Sequence, residues 1–173
     1  MRIISGQAKG RKISAPKGLA TRPVTDMIKG ALFNVWGEAV RQSFFLDLFA
    51  GSGSVGLEAL SRGARFVVFV DAGKEAVKII KRNLDVCGFN DNFEIYGKDV
   101  FQVLPILNRQ GLKFDYIYID PPFTDSAIFS KIIPALNTGL LLQPNGHLVI
   151  RSAKSIDLPQ HSKALHRLRA DKY

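Results

Sequence analysis

A single cysteine, Cys87, stands among 173 residues. That excludes an internal disulfide and any zinc site built from several cysteines, and a reduced, cytoplasmic setting is the simple reading. Histidine is scarce too. His147, His161 and His166 fall towards the C-terminus without a Cys or Glu at ligand spacing, so no metal site is expected. No apolar run approaches the ~18 residues that a membrane-spanning helix needs. The start, "MRIISGQAKGRK", lacks the apolar core of a signal peptide. Repeats and low-complexity tracts are also missing. What is present is ordinary for a soluble globule: 46% hydrophobic and 23% charged residues. The length suits one domain with a buried core.

Acid is short relative to base, and the net charge is +9. Residues 1–43 carry eight Lys/Arg against two Asp/Glu, and residues 151–173 carry six against two. The stretch between is close to neutral. Two basic ends on a neutral middle form an electrostatic footprint for a polyanion; the plainer alternative is a pair of solvated termini. Arg2, Lys9, Arg11 and Lys12 cluster on "RIIS-GQAKG-RKIS", which reads as two short strands around a glycine turn. They are the candidates for phosphate contact.

The loop "GLATRPVTD" follows. Thr25 is placed to cap a helix running to about Val40, with Ile28, Leu32, Val35, Trp36 and Val40 at helical spacing. Strands and helices then alternate. Residues 44–49, 65–70, 93–96, 114–119 and 146–152 read as strands. The segments between them read as helices, one closed by Gly63 and another by Gly88, with Pro105 and Pro134 expected to kink or interrupt the last two. The strands are continuously apolar rather than alternating. The expected fold class is therefore α/β: a doubly wound, mostly parallel sheet with helices on both faces and a small N-terminal β-hairpin. One domain, 1–173, is expected, with 1–20 as a basic extension and 21–173 as the core. Ligands of such sheets bind beyond the carboxyl ends of the strands.

Those ends are where the chemistry gathers. "DLFAGSGSVG" follows the first core strand, and Gly51, Gly53 and Gly56 spell G-x-G-x-x-G. Glycine lets the backbone turn tightly and approach a ligand. Asp71 ends the second strand at a spacing that suits ribose hydroxyls. Asp99 follows the third strand. NAD and S-adenosylmethionine both fit this pattern. Asp47 within the loop motif suits the cationic tail of S-adenosylmethionine better than a pyrophosphate.

The fourth strand exits into "DPPF", Asp120, Pro121, Pro122 and Phe123. Two prolines stiffen the chain just where an acid leaves the sheet. An exocyclic amine of a base is a poor nucleophile because its lone pair is delocalised into the ring. Acceptors in a rigid geometry localise that pair: the Asp120 carboxylate and the Pro121 carbonyl supply two, and the Phe123 ring supplies a stacking face. A base has to be unpaired or flipped to reach them. A plain strand exit and turn is the alternative for the box taken alone.

These residues resemble a known family. "DLFAGSG", "VFVD", "KD" at 98–99 and "DPPF" look like the successive motifs of Rossmann-like methyltransferases that use S-adenosylmethionine. "ATRPVTDMIKGALFN" with "DLFAGSGSVGLEALSRGA" looks like the bacterial RsmD-type family, which methylates a guanine N2 in small-subunit (16S) ribosomal RNA. The resemblance covers nearly the whole chain. It implies that Arg22, Pro23 and Thr25 border the cofactor pocket. Gly51 and Gly53 would line the cofactor, Asp71 would take its ribose and Asp99 its adenine amino group. Asp120 to Phe123 would form the catalytic box, and the basic hairpin would bind RNA. It implies a cytoplasmic enzyme acting on ribosomal RNA or the small subunit; a monomer is expected, with no metal and no membrane. Family members often carry tyrosine where Phe123 stands, and often a Glu where the second strand ends. They usually add a further strand beyond "LRADKY", so an open sheet edge is expected here. Rival readings are methylation of another amino nitrogen (adenine N6 in DNA or a protein amide), a non-catalytic RNA-binding module, and a nicotinamide dehydrogenase.

Overall fold

Five apolar segments pair into one sheet in the order β3-β2-β1-β4-β5, every pairing parallel. They are β1 (Phe44–Leu48), β2 (Phe66–Val70), β3 (Phe93–Tyr96), β4 (Phe114–Ile119) and β5 (Leu142–Ile150). The computed structural model describes residues 1–15, 25–122, 127–139, 141–153, 156, 158, 161–162, 165–168 and 170. The helices are α1 (Asp26–Trp36), α2 (Ser54–Ser61), α3 (Lys74–Cys87), α4 (Val100–Arg109) and α5 (Ala127–Gly139). A short antiparallel pair, β6 (His161–Ser162) and β7 (Leu165–His166), stands apart from the sheet.

Successive strand residues face opposite sides, so continuous apolar strands feed two cores. Phe45, Val67, Phe69, Tyr116 and Tyr118 pack with Phe33 and Trp36, with Leu57 of α2 and with Ile80 and Leu84 of α3. Leu46, Leu48, Val68, Val70, Ile117 and Ile119 pack with Val103 and Leu107 of α4 and with Ile132 and Leu136 of α5. The expected doubly wound architecture is present. Its strand order reverses beside β1, which opens the crevice between the ends of β1 and β4. Leu48 lies opposite both Val70 and Ile119, so these three strands end level with one another.

The N-terminal segment forms the expected small hairpin and is also docked on α2. Arg2 and Lys12 make an antiparallel bridge, and across the turn the Ile3 amide donates to the Arg11 carbonyl at 3.0 Å, the Gly10 amide to the Ile3 carbonyl at 2.9 Å and the Ile13 amide to the Met1 carbonyl at 3.1 Å. The residues between bond largely to α2. The Ile4 and Ser5 amides donate to the Glu58 carboxylate at 2.8 and 3.0 Å, and the Ala8 amide donates to Ser61 Oγ at 3.0 Å. Ile3, Ala8 and Ile13 are buried, so the arm is part of the first core. It turns at Gly6 (φ 82°), where a Cβ would lie only 1.7 Å from the Ser61 carbonyl oxygen.

Other boundaries shift for local reasons. Thr25 Oγ1 accepts from the Ile28 amide at 3.3 Å, the expected cap, but α1 stops at Trp36 because Gly37 leaves helical space (φ 54°). A 3₁₀ turn over Gly37–Val40 then buries Val40 and leaves Val35 exposed. Pro105 and Pro134 do not interrupt α4 and α5. Both prolines are exposed, so the carbonyls they fail to pair can reach water. β5 starts at Leu142, four residues before the predicted strand, and its pairing with β4 carries a register irregularity.

Candidate active site at the strand ends

The loop after β1 bends three times through left-handed backbone, at Phe49 (φ 60°), Gly51 (φ 58°) and Gly53 (φ 72°). An aromatic residue in that region is a strained outlier, of the order of 1–3 kcal/mol. The loop is held from outside. The Ala50 amide donates to the Val70 carbonyl at 3.0 Å, and the Gly51 amide donates to Asp71 Oδ2 at 2.8 Å. Gly56 serves packing rather than ligand approach. A Cβ there would come within 2.3 Å of the Phe69 ring, so the glycine lets α2 sit directly on β2.

Asp47 lies beneath this loop with 2% of its surface exposed. Its Oδ2 accepts the Gly56 amide at 2.9 Å. Burial pushes its carboxyl well above the usual range; the Gly56 amide opposes that, and the negative charges of Asp120 and Asp71 add to it. A buried acid beside other acids favours a cation nearby. Asp71 is differently placed. The amides of Gly51 and Gly73 each take one of its oxygens at 2.8 Å, so it braces the loop and keeps spare lone pairs on both. Asp99 is exposed and caps α4 through the Phe101 amide at 2.8 Å.

Asp120 follows β4, level with Asp71 across β1. Its Oδ2 receives Arg151 Nη1 at 2.9 Å, and the Tyr118 hydroxyl stands 3.5 Å from the same oxygen. Burial raises the Asp120 carboxyl above the ordinary range, and the Arg151 guanidinium opposes that rise. Pro121 is buried and Pro122 exposed. Phe123, Arg22 and Pro23 lie outside the described residues. The described role of Thr25 is its helix cap. Asp47, Gly51, Gly53, Asp71 and Asp120 therefore gather at the ends of three adjacent strands, with Asp99 beyond the edge strand β3. Arg2, Lys9, Arg11 and Lys12 are exposed on the N-terminal arm, where Arg2 also reaches Asp26 at 3.4 Å. Arg2 and Lys9 line a cleft of about 390 Å³.

Three participants were not anticipated. Arg151 is the first residue after β5, the same position that Asp120 holds after β4, and that rule could have found it. Asn83 is fully buried. Its carboxamide accepts the Ser14 amide at 2.9 Å and donates to the carbonyls of Ser14 and Ser52, tying the arm to the glycine loop. Glu58, in the middle of α2, holds the arm; neither it nor Asn83 has a sequence signal. Among the described residues, no His/Cys/Asp/Glu group could hold a metal ion and no helix is long and apolar enough to cross a membrane.

Comparison with known proteins adds a second line. The family model described as "Conserved hypothetical protein 95" matches residues 1–173. The chain is 34% identical over 156 residues to the Haemophilus influenzae protein named "Ribosomal RNA small subunit methyltransferase D", covering 89% of this chain and 79% of that one. The Escherichia coli K12 protein of the same name is 32% identical over 148 residues, 86% of this chain and 69% of that one. Among solved structures, a hypothetical protein of Thermus thermophilus superposes with a TM-score of 0.82 at 31% identity, over 94% of this chain and 91% of that one.

Proposed function

The chain belongs to the family described as Conserved hypothetical protein 95, the RsmD-type family, and on that premise we propose that it transfers a methyl group from S-adenosylmethionine to the exocyclic N2 of a guanine in small-subunit ribosomal RNA. The observation that carries this reading is the register that sets Asp120 beside the glycine loop, across the crevice between β1 and β4. The same crevice holds an acceptor for an amine and a buried acid suited to a cationic ligand. The relatives' names give the coarser statement, an rRNA methyltransferase; the guanine N2 is the finer step proposed here.

The cofactor is S-adenosylmethionine, which supplies an electrophilic methyl on a positively charged sulfur. Asp47 fits it, because an acid pushed up by burial and neighbouring acids gains most from a cation such as an α-ammonium. The backbone at Gly51 and Gly53 offers close approach, and the spare lone pairs of Asp71 suit two ribose hydroxyls. Asp99 takes the adenine amino group, and Arg22, Pro23 and Thr25 border the pocket. A pyrophosphate would meet Asp47, Asp71 and Asp120 together, which disfavours a dinucleotide.

On the substrate side, the Asp120 carboxylate and the Pro121 carbonyl accept the two N–H groups of the guanine amine. They would hold it facing the cofactor, and Phe123 would stack on the ring. The bound cofactor would supply the methyl as an electrophile to the amine nitrogen, its sulfur leaving as a thioether, and Asp120 would take the surplus proton. Positioning and fixed charge supply the rate, with no covalent intermediate. Arg2, Lys9, Arg11 and Lys12 contact phosphates.

The test is labelled methyl transfer from S-adenosylmethionine to unmodified small ribosomal subunits, purified rRNA and DNA, followed by nucleoside analysis. Label recovered as N2-methylguanosine is expected. Label recovered as N6-methyladenine, or on none of the three while the cofactor binds, overturns the assignment.

A further inference from the structure

Arg151 belongs to no motif and to no role assigned above. Its backbone amide donates to the Ile119 carbonyl at 2.9 Å, extending the β4–β5 ladder one step past the opposed pair Ile119 and Ile150. Asp120 and Arg151 are thus held side by side by the sheet itself, not by loops. Their side chains are 18% and 19% exposed, and Nη1 lies 2.9 Å from Oδ2. The Tyr118 hydroxyl approaches the same oxygen. Both described side-chain donors therefore converge on one oxygen of the carboxylate.

We propose that Arg151 is a positioning residue, which fixes the Asp120 carboxylate through Oδ2 and so sets the direction in which the acid meets the substrate amine. The inference rests on the reading of Asp120 as the amine acceptor. A lone carboxylate rotates about its terminal torsion, which has broad wells. An arginine on a rigid strand removes that freedom and gives a charge-assisted bond. The charge matters as well as the angle. Among the described residues, three groups face Asp120: Asp47 from β1, Tyr118 from its own strand and Arg151 from β5. Asp47 adds negative charge when ionised. Tyr118 stays neutral, since burial first and Asp120 second raise its hydroxyl well above the ordinary value. Arg151 is the cation among the three, and it opposes the rise that burial imposes on Asp120.

The experiment compares Arg151→Gln and Arg151→Lys with the parent chain. It measures kcat and KM against pH on the RNA that accepts label, and titrates the Asp120 carboxyl carbon by NMR. For Arg151→Gln, kcat falls about 10- to 100-fold, the scale of a misplaced reacting group, with cofactor affinity kept. The Asp120 titration and the acid limb of kcat both move to higher pH, because the charged form has lost its cation. Arg151→Lys keeps the charge but not the planar fork, so the titration stays near that of the parent while kcat remains reduced. An unmoved titration in Arg151→Gln, or full kcat in either variant, overturns the proposal. If Arg151→Gln does not fold, Arg151→Lys decides by its kcat: a reduced kcat with an unmoved titration supports the proposal, and a full kcat overturns it. The NMR titration needs no substrate, so it separates this inference from the reading beneath it. Asp120→Asn with full turnover removes Asp120 from the chemistry, whereas a moved Asp120 titration in Arg151→Gln still reports the ion pair in the parent chain.

Discussion

Asp47 and Glu58 are both buried acids tied to α2, and their surroundings are opposite. Glu58 is fully buried and fully answered. It accepts the Ile4 and Ser5 amides and Arg62 Nε at 2.9 Å, and the Lys29 ammonium lies 3.4 Å away. Lys29 in turn donates to the Arg2 carbonyl at 2.8 Å, and Arg62 lies over the Phe33 ring. Asp47 has one described hydrogen bond, from the Gly56 amide, and acids for neighbours. A buried acid whose charge is already balanced holds a structure together. A buried acid that is left short of positive charge marks the place where a ligand brings it.

The contrast breaks most visibly at Glu58. Glu58→Ala leaves Lys29 buried without its counter-ion and strands the Ile4 and Ser5 amides. Removing one partner of a buried pair costs roughly 3–5 kcal/mol. Urea unfolding should show a loss of that size, and amide exchange should quicken at Ile4, Ser5 and Ala8, where the arm docks. If stability is kept and the arm stays protected, the cluster is not the clamp.

Asp47 should respond in the other direction. Its folded-state carboxyl binds a proton more tightly than the unfolded one, so the penalty on the charged form is absent at low pH and grows as pH rises above the ordinary Asp value. Asp47→Asn removes that penalty and keeps an oxygen for the Gly56 amide. Without cofactor, the variant should melt about 2–4 °C higher at pH 8, the response of a chain this size to ~1 kcal/mol. The gain should shrink towards pH 4. Affinity for S-adenosylmethionine should fall about tenfold or more if Asp47 meets the cofactor's ammonium as proposed, the scale of a lost hydrogen bond to a charged group. Equal melting at both pH values, or undiminished affinity, contradicts the contrast.

Much of this is legible in the sequence. The glycine loop, Asp71 and Asp120 are found by one rule: look where an apolar run stops. The strands announce themselves because both faces are buried, so nearly every residue is apolar. Lys29 could not be found that way. It stands among apolar residues at helical spacing and reads as a polar interruption, yet Glu58, 29 positions later, makes its burial tolerable. Arg151 meets Asp120 only through the β4–β5 register, which the sequence does not encode locally. The N-terminal arm is legible in part. Its glycine turn and flanking strand formers predict the hairpin that Arg2 and Lys12 close, but its docking through Glu58 and Ser61 depends on residues more than fifty positions away.

The smallest effect concerns the charges that neither acid holds. Lys9, Arg11 and Lys12 are exposed on an arm fixed from beneath. Replacing all three with Gln should leave stability within about 0.5 kcal/mol, as surface changes do. RNA binding should weaken, and the slope of log affinity against log salt should flatten by up to about 0.7 for each single-strand phosphate no longer neutralised. Glu58→Ala supplies the complementary case at a temperature where it is folded. There the arm keeps its cations and loses its dock, so affinity drops while the salt slope is retained. Cation number and cation placement are then read separately, one from the slope and the other from the affinity. A triple variant with an unchanged slope takes the arm out of the RNA interface, and the second basic segment, 151–173, becomes the place to look.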